Sequence, residues 1–283
     1  MRAREIRRAR PLLGTFVEVC ATGSDETLLE NAVERAFRVI ERLQSRLSSH
    51  DAASEVTRLN RDANRQAIAV SRDLWRVLRT AVRLSHQCEG AFDVTSNPAS
   101  APRHRERAGS FRDIGFLPGR RIRFGRPLRV DLGGIAKGYC VDQAVRELER
   151  CGVESGLVNA GGDLRAFGDR PFTLHLRHPG EPGRILPWAV IRNAAIATSA
   201  SYLSSRRRWA GRMLDGRSST PIGCGLSVTV LAPRGVIADA LTKVVAVAPE
   251  RAAPLLASYQ ARAWIATSRG TALRQRELKP YQG

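Results

Sequence analysis

Lysine is nearly absent from this sequence. Of 46 basic residues among 283, only Lys137, Lys243 and Lys279 are lysines, and the rest are arginines. A chain that uses arginine for generic positive charge keeps a lysine where a planar fork will not serve. A compact ammonium on a flexible stem suits a place beside a phosphate or in a metal-sized hole. Other shortages exclude whole classes. No apolar run approaches the roughly 20 residues that span a bilayer. Met1 to Arg10 carries arginines with no apolar stretch behind them, so the expectation is a cytoplasmic protein without membrane attachment. The five cysteines, Cys20, Cys88, Cys140, Cys151 and Cys224, include no CxxC pair and no close Cys/His cluster, and read as reduced, mostly buried small hydrophobes. The net charge of +19 raises nucleic acid as a partner, since arginine surfaces bind phosphate without sequence contacts. Yet the arginine runs Arg2 to Arg10, Arg103 to Arg107 and Arg206 to Arg208 lack interleaved aromatics for base stacking, so no dedicated nucleic-acid partner is expected.

What is present suffices for one large core or two merged subdomains, since 43% of the residues are hydrophobic. There is no internal repeat or low-complexity tract, and residues 1–283 read as one domain, with any subdomain boundary near 99–112. Alternation from Gly14 to Ala21 predicts a strand. Apolar positions Leu29, Val33, Phe37, Ile40 and Leu47 predict a helix from Glu26 to Leu47, capped by Ser24 or Asp25. A second helix starts at Ser71, buries Leu74, Leu78 and Ala81 and stops at Gly90. A strand is expected at Phe92-Asp93-Val94-Thr95, and a mobile loop from Ala99 to Arg112. Paired strands are expected at Arg121 to Phe124 and Leu128 to Leu132. A helix follows from Ala136 to Arg150. Strands at 157–160, 172–177, 188–192, 226–231 and 262–267, with helices at 236–247 and 249–259, complete an α+β pattern.

The most informative stretch is Asp131-Leu132-Gly133-Gly134-Ile135-Ala136-Lys137-Gly138-Tyr139-Cys140-Val141-Asp142, a glycine turn that opens a helix. Asn159-Ala160-Gly161-Gly162-Asp163 repeats the glycine pair. Such turns let backbone groups approach a ligand, and a helix start favours an anion, so a phosphorylated guest is the natural reading. Each turn alone reads equally well as an ordinary tight turn. Together with Ala197-Thr198-Ser199 and Ile237-Ala238-Asp239-Ala240-Leu241, in this order and spacing, they resemble the FAD:protein FMN transferase (ApbE) family over nearly the whole chain.

The resemblance implies an ApbE-like fold of mostly antiparallel, T-fold-like sheets with packed helices and a flavin cleft between subdomains. It implies an enzyme with FAD as substrate: a Ser or Thr hydroxyl of an acceptor protein attacks the FMN-side phosphorus, and AMP leaves. Leu13 would abut a ring pocket and His50 would stack on a ring. Asp131 would accept from adenine or ribose, Lys137 would meet a phosphate or ribose, the Thr198 hydroxyl would bond phosphate oxygens, and Met213 would pack on a ring face. Mg²⁺ would be held by the Gly134 carbonyl, Asp239 and Thr242.

Two departures bear on catalysis. The family's His-Ile-Ile-Asp-Pro-Arg-Thr-Gly segment corresponds to Arg212-Met213-Leu214-Asp215-Gly216-Arg217-Ser218-Ser219. Arg212 can neutralise charge but cannot act as a base near neutral pH. Asp215 either takes over proton abstraction or only caps its own turn. Lys243 stands where the family carries a metal-binding Thr, and three arrangements are open. Asp239 and Lys243 form an i,i+4 surface pair; or Thr242 still supplies a hydroxyl to Mg²⁺; or the Lys243 ammonium takes the metal's place and faces the diphosphate.

Overall fold

The computed structural model describes residues 4–96, 109–178, 181–200, 213–222, 226–269 and 272–278, with the backbone alone for 176–188 and 268–275. In chain order the elements are β1 (Arg4–Leu12), β2 (Thr15–Gly23), α1 (Glu26–Leu47), α2 (Glu55–Asp62), β3 (Ile68–Ala69), α3 (Arg72–Gln87), β4 (Ile114–Leu117), β5 (Arg121–Phe124) and α4 (Ala136–Arg150). There follow β6 (Ser155–Ala160), β7 (Asp163–Phe167), β8 (Phe172–His178), β9 (Glu181–Ile191), β10 (Ala195–Ala200), β11 (Leu214–Asp215), β12 (Thr220–Pro221), β13 (Leu226–Ala232), α5 (Gly235–Val247), α6 (Pro249–Ser258), β14 (Arg262–Arg269) and β15 (Ala272–Leu278).

Eight strands form one antiparallel sheet in the order β1-β2-β6-β7-β10-β13-β14-β15. Strand alternation assigns its two faces. Val17, Val19, Val158 and Ala160 meet α1 and α4, and Ala195, Ala197, Val228 and Val230 pack with α5. Cys20, Leu157, Ala166 and Ile196 point the other way, under the β8–β9 hairpin. A three-stranded sheet, β3-β5-β4, joins the cluster that holds α2 and α3. The expected α+β architecture of mostly antiparallel sheets with packed helices is what forms.

Helix signals read well because their causes are local. Asp25 accepts from the Leu28 N–H and starts α1, and Ser71 accepts from the Leu74 N–H and starts α3. Several strand expectations are corrected. The N-terminal arginine run, for which no strand was expected, forms β1, whose Ile6 is buried while its arginines pair outward with Glu5, Glu18, Glu26 and Glu34. Leu128 to Leu132 is not a strand. The Asn60 side chain takes both backbone groups of Val130, donating to its carbonyl at 2.9 Å and accepting from its N–H at 2.7 Å, and so stands in for a strand partner. Phe92 to Thr95 is a turn, because the Asp93 carboxylate binds the Thr95 N–H and hydroxyl. Asp163–Phe167, Ala195–Ala200 and Ala272–Leu278 are strands that were not expected. Most of the predicted 99–112 loop lies outside the described residues; of its end, Phe111–Asp113 forms a 3-10 turn. Cys20, Cys88 and Cys140 are buried and free; burial pushes the Cys20 thiol up to about 11 and that of Cys140 up to about 12. Cys224 lies outside the described residues.

Among the described residues, no helix is long and apolar enough to cross a membrane.

Candidate functional site

The Gly161-Gly162 pair opens no helix. It is the two-residue turn between β6 and β7, with φ of 64° and 100°, as a hairpin of this length favours. The turn delivers Asp163, at the start of β7, to the helix face of the sheet. A side chain at Gly161 would meet the Thr15 hydroxyl, so the neighbouring Leu13-Gly14 turn of the β1–β2 hairpin lies alongside. Leu13 itself holds a φ of 55° and packs against both core clusters.

The Gly133-Gly134 turn does open α4, as expected. Its helix start is already occupied by the protein, however. The Gly138 N–H donates to Asp239 Oδ2 of α5 at 3.0 Å. The two helices touch at glycines: a Cβ on Gly138 would stand 2.2 Å from the Gly235 carbonyl oxygen. Asp142 of α4 returns the exchange, accepting from the Gly235 and Val236 N–H groups at 2.8 and 3.1 Å and thereby capping α5.

Around this contact stand two buried carboxylates and two lysines. Asp239 is fully buried; Lys243 donates to its Oδ1 and, at 3.0 Å, to its backbone carbonyl. The aliphatic stem of Lys243 runs against Gly134, where a Cβ would come within 3.5 Å of Lys243 Cε. Thr242 donates to the Asp239 carbonyl at 2.6 Å and shares a 2.8 Å hydrogen bond with the Ser199 hydroxyl. Lys137 donates to Asp163 Oδ2, while Asp163 Oδ1 is buried without a hydrogen-bond partner. Burial pushes the Asp239 carboxyl up, but Lys243, Lys137 and the Gly138 N–H more than reverse this and hold it below its ordinary value. Burial and the Asp239 charge push Asp163 up to about 6 against the pull of Lys137 and Lys243.

The Asp163 shift fixes a sign. The folded carboxyl binds its proton more tightly than the unfolded one, whose ordinary value is 3.8. Its contribution to stability is therefore complete below about pH 4 and is lost as the pH rises through about 6. Asp163→Asn is expected to flatten that part of the stability–pH curve, measured by denaturant unfolding across the window; an unchanged slope would contradict the assignment.

The structure thus brings Gly134, Lys137, Asp239, Thr242 and Lys243 together. It separates others. Thr198 lies on a strand, not in a turn, and alternation turns it to the opposite sheet face, where its hydroxyl meets Thr229 at 3.0 Å. Its neighbour Ser199 is the one that faces the cluster. Asp131 is exposed and accepts from the Gly133 N–H at 2.8 Å, closing its own turn. His50 is exposed in the loop after α1. Met213 is buried at the base of the β11–β12 hairpin, which docks on residues 90–96 through Gly216: the Gly216 N–H donates to the Ala91 carbonyl at 3.1 Å. In that hairpin Asp215 is gripped by Arg217 at 3.0 and 2.8 Å. Burial raises the Asp215 carboxyl, and the Arg217 side chain and N–H outweigh it and hold it low, which disfavours proton abstraction. Arg212 lies outside the described residues. Asp163 carried no assigned role in the sequence, and Ser199 only a share in the hydroxyl segment that begins at Thr198, although the apolar positions Ala195 and Ala197 already place Ser199 on the helix face by parity.

Known proteins resemble this chain in sequence and fold. The model of the ApbE family matches residues 13–265. The FAD:protein FMN transferase of Haemophilus influenzae is 28% identical over 254 residues, 78% of this chain and 73% of that protein. The FAD:protein FMN transferase of Klebsiella pneumoniae is 27% identical, over 82% and 78% of the two chains. In fold, the flavinyl transferase ApbE of Pseudomonas stutzeri in its apo form superposes with a TM-score of 0.82 at 23% identity, over 98% of this chain and 95% of that one. The flavin transferase ApbE of Vibrio cholerae gives 0.80 at 24% identity, over 98% and 97%. With 253 consecutive residues under one family model and the glycine turns meeting the aspartate-bearing helix, this chain belongs to the ApbE family.

Proposed function

We propose that this protein transfers the FMN moiety of FAD to a Ser or Thr hydroxyl of an acceptor protein. The hydroxyl oxygen bonds to the FMN-side phosphorus, the bond from that phosphorus to the bridging oxygen breaks, AMP leaves with the bridging oxygen, and the hydroxyl proton is released. The observation that carries this reading is the meeting of Lys137 and Lys243 with both glycine turns over the buried carboxylates of α5 and β7. Phosphoryl transfer asks mainly for positioning and charge neutralisation, which two ammonium groups held by buried carboxylates supply.

The donor set around Asp239 does not fit Mg²⁺. A hard dication wants about six oxygen lone pairs in octahedral array. Here Asp239 Oδ1 faces the Lys243 ammonium, Oδ2 accepts from the Gly138 N–H, and the Asp239 carbonyl accepts from both the Thr242 hydroxyl and Lys243. Two aspartates against two lysines also leave the cluster no surplus negative charge. We therefore assign charge neutralisation of the diphosphate to Lys243 and Lys137.

Incubating the protein with FAD, EDTA and an acceptor carrying a Ser/Thr site tests the function. Flavin covalently attached to the acceptor, with AMP released, is the expected result. Tight FAD binding without turnover would favour a transfer-deficient flavin binder, the reading to which Arg212 and the low-lying Asp215 carboxyl point; free FMN plus AMP would mark a pyrophosphate hydrolase.

A further inference from the structure

A cleft of about 1090 Å³ lies on the α3 side of α4, away from the Asp239 cluster. Arg76, Arg79 and Arg83 line one wall from α3, at spacings of three and four that put them on one helix face. Tyr139, Gln143 and Arg146 line the other from α4 with the same periodicity, and Arg234 closes one end. Five guanidinium groups thus share one cleft, and no carboxylate is among its lining residues. Asp73 accepts from the Tyr139 hydroxyl at 2.8 Å and faces Arg46. Asp142 caps α5 and pairs with Arg165, and Glu147 pairs with Arg35 and Arg150. Among the described residues Arg76, Arg79 and Arg146 have no ion-pair partner.

Two further donors of the lining residues are unsatisfied. Gln143 Nε2 and Arg234 Nε are buried without a hydrogen bond, the latter 3.9 Å from Asp142 Oδ2. Buried donors without partners cost about 1–3 kcal/mol each, and like charges crowded into a cleft add to that cost. An anion rich in acceptor oxygens would relieve the crowding of like charges in the cleft. The lining is not purely charged. Trp75, half-buried, meets the Phe116 ring edge-on at 5.0 Å and offers a planar apolar surface beside the arginines.

We propose that this cleft is a second ligand site, distinct from the Asp239 cluster, that takes a nucleotide through adjacent phosphates. Arginine forks bind phosphate oxygens in pairs, and the Trp75 side receives the base. Pocket size agrees, since clefts of about 300–1,000 Å³ suit ligands of this class. The proposal does not depend on the transferase reading.

Titration calorimetry of the full chain with ADP, inorganic pyrophosphate and adenosine tests it. ADP is expected to bind more tightly than pyrophosphate, and adenosine not measurably. The pair Arg76→Ala/Arg146→Ala, one from each wall, is expected to weaken ADP at least tenfold with an unchanged melting temperature, and Arg79→Glu to act in the same direction. Trp75→Phe should narrow the gap between ADP and pyrophosphate. Undiminished ADP binding in the double variant would overturn the proposal. So would a single-stranded oligonucleotide that displaces ADP through the same arginines, because the cleft would then be a nucleic-acid surface.

Discussion

Lys243→Ala is expected to weaken FAD binding by ten- to a hundredfold, while EDTA leaves the wild-type affinity within about twofold. A charge-assisted contact of an ammonium with a phosphate oxygen is worth about 1.5–3 kcal/mol, which sets that range. The loss should sit at the upper end, because removing Lys243 also leaves the fully buried Asp239 carboxylate unneutralised beside the incoming diphosphate. For the same reason the variant should lose about 3 kcal/mol of stability, the lower end of the cost of breaking a buried pair, since the Gly138 N–H and the Lys137 charge still support Asp239. Lys243→Arg should not restore binding: the stem runs against Gly134, and a planar fork cannot fit the space of an ammonium that donates at once to Asp239 Oδ1 and to the Asp239 carbonyl. Fluorescence titration of FAD with the three proteins, with and without chelator, reads this directly. A large gain in wild-type affinity on adding Mg²⁺ would refute the assignment of that role to Lys243.

Gly138→Ala is the second change with a large expected effect, and it acts on stability. The added carbon would stand 2.2 Å from the Gly235 carbonyl oxygen and 2.8 Å from Asp239 Cβ. The first obstacle is backbone, which cannot rotate away, so α4 and α5 must part. Parting them stretches the Gly138 hydrogen bond to Asp239 and the two Asp142 caps on α5 together. Overpacking alone costs about 1–3 kcal/mol, and the lost hydrogen bonds should bring the total to about 4 kcal/mol, seen as a shifted denaturant midpoint. Gly162→Ala is the control. Nothing lies within 4 Å of its Cβ, so only the positive φ of 100° is penalised, at about 1–2 kcal/mol.

Local signals made the helices legible, and long-range placement hid much of the rest. Asp25, Ser71 and the 3.6-residue periodicity carry their own instructions, so α1, α3 and α4 begin where a capping residue or a glycine turn says they should. The strand expected over Leu128 to Leu132 failed because its partner is a side chain 70 positions earlier, Asn60, which no local pattern reveals. The central strand β10 escaped notice because Thr198 and Ser199 look like turn residues, yet they pair with Thr229 and Val228 of β13. The site motifs were readable as a set because glycine pairs and a late aspartate mark close backbone approach. Which hydroxyl faces the cluster was not, since that depends on sheet parity. Nor was Asp163, whose importance arises only from burial beside Lys137.

Each of α4 and α5 supplies the carboxylate that completes the other's first turn, through Asp142 in one direction and Asp239 in the other. The pair must then travel as a single piece, because sliding either helix would uncap both at once. Entry and exit of a large substrate have to be served by something else at the rim. The β11–β12 hairpin is held fast where it meets residues 90–96: the Gly216 N–H donates to the Ala91 carbonyl at 3.1 Å, the Ser96 hydroxyl reaches the Gly216 carbonyl at 3.2 Å, and a Cβ on Gly216 would stand 2.2 Å from the Gly90 carbonyl oxygen.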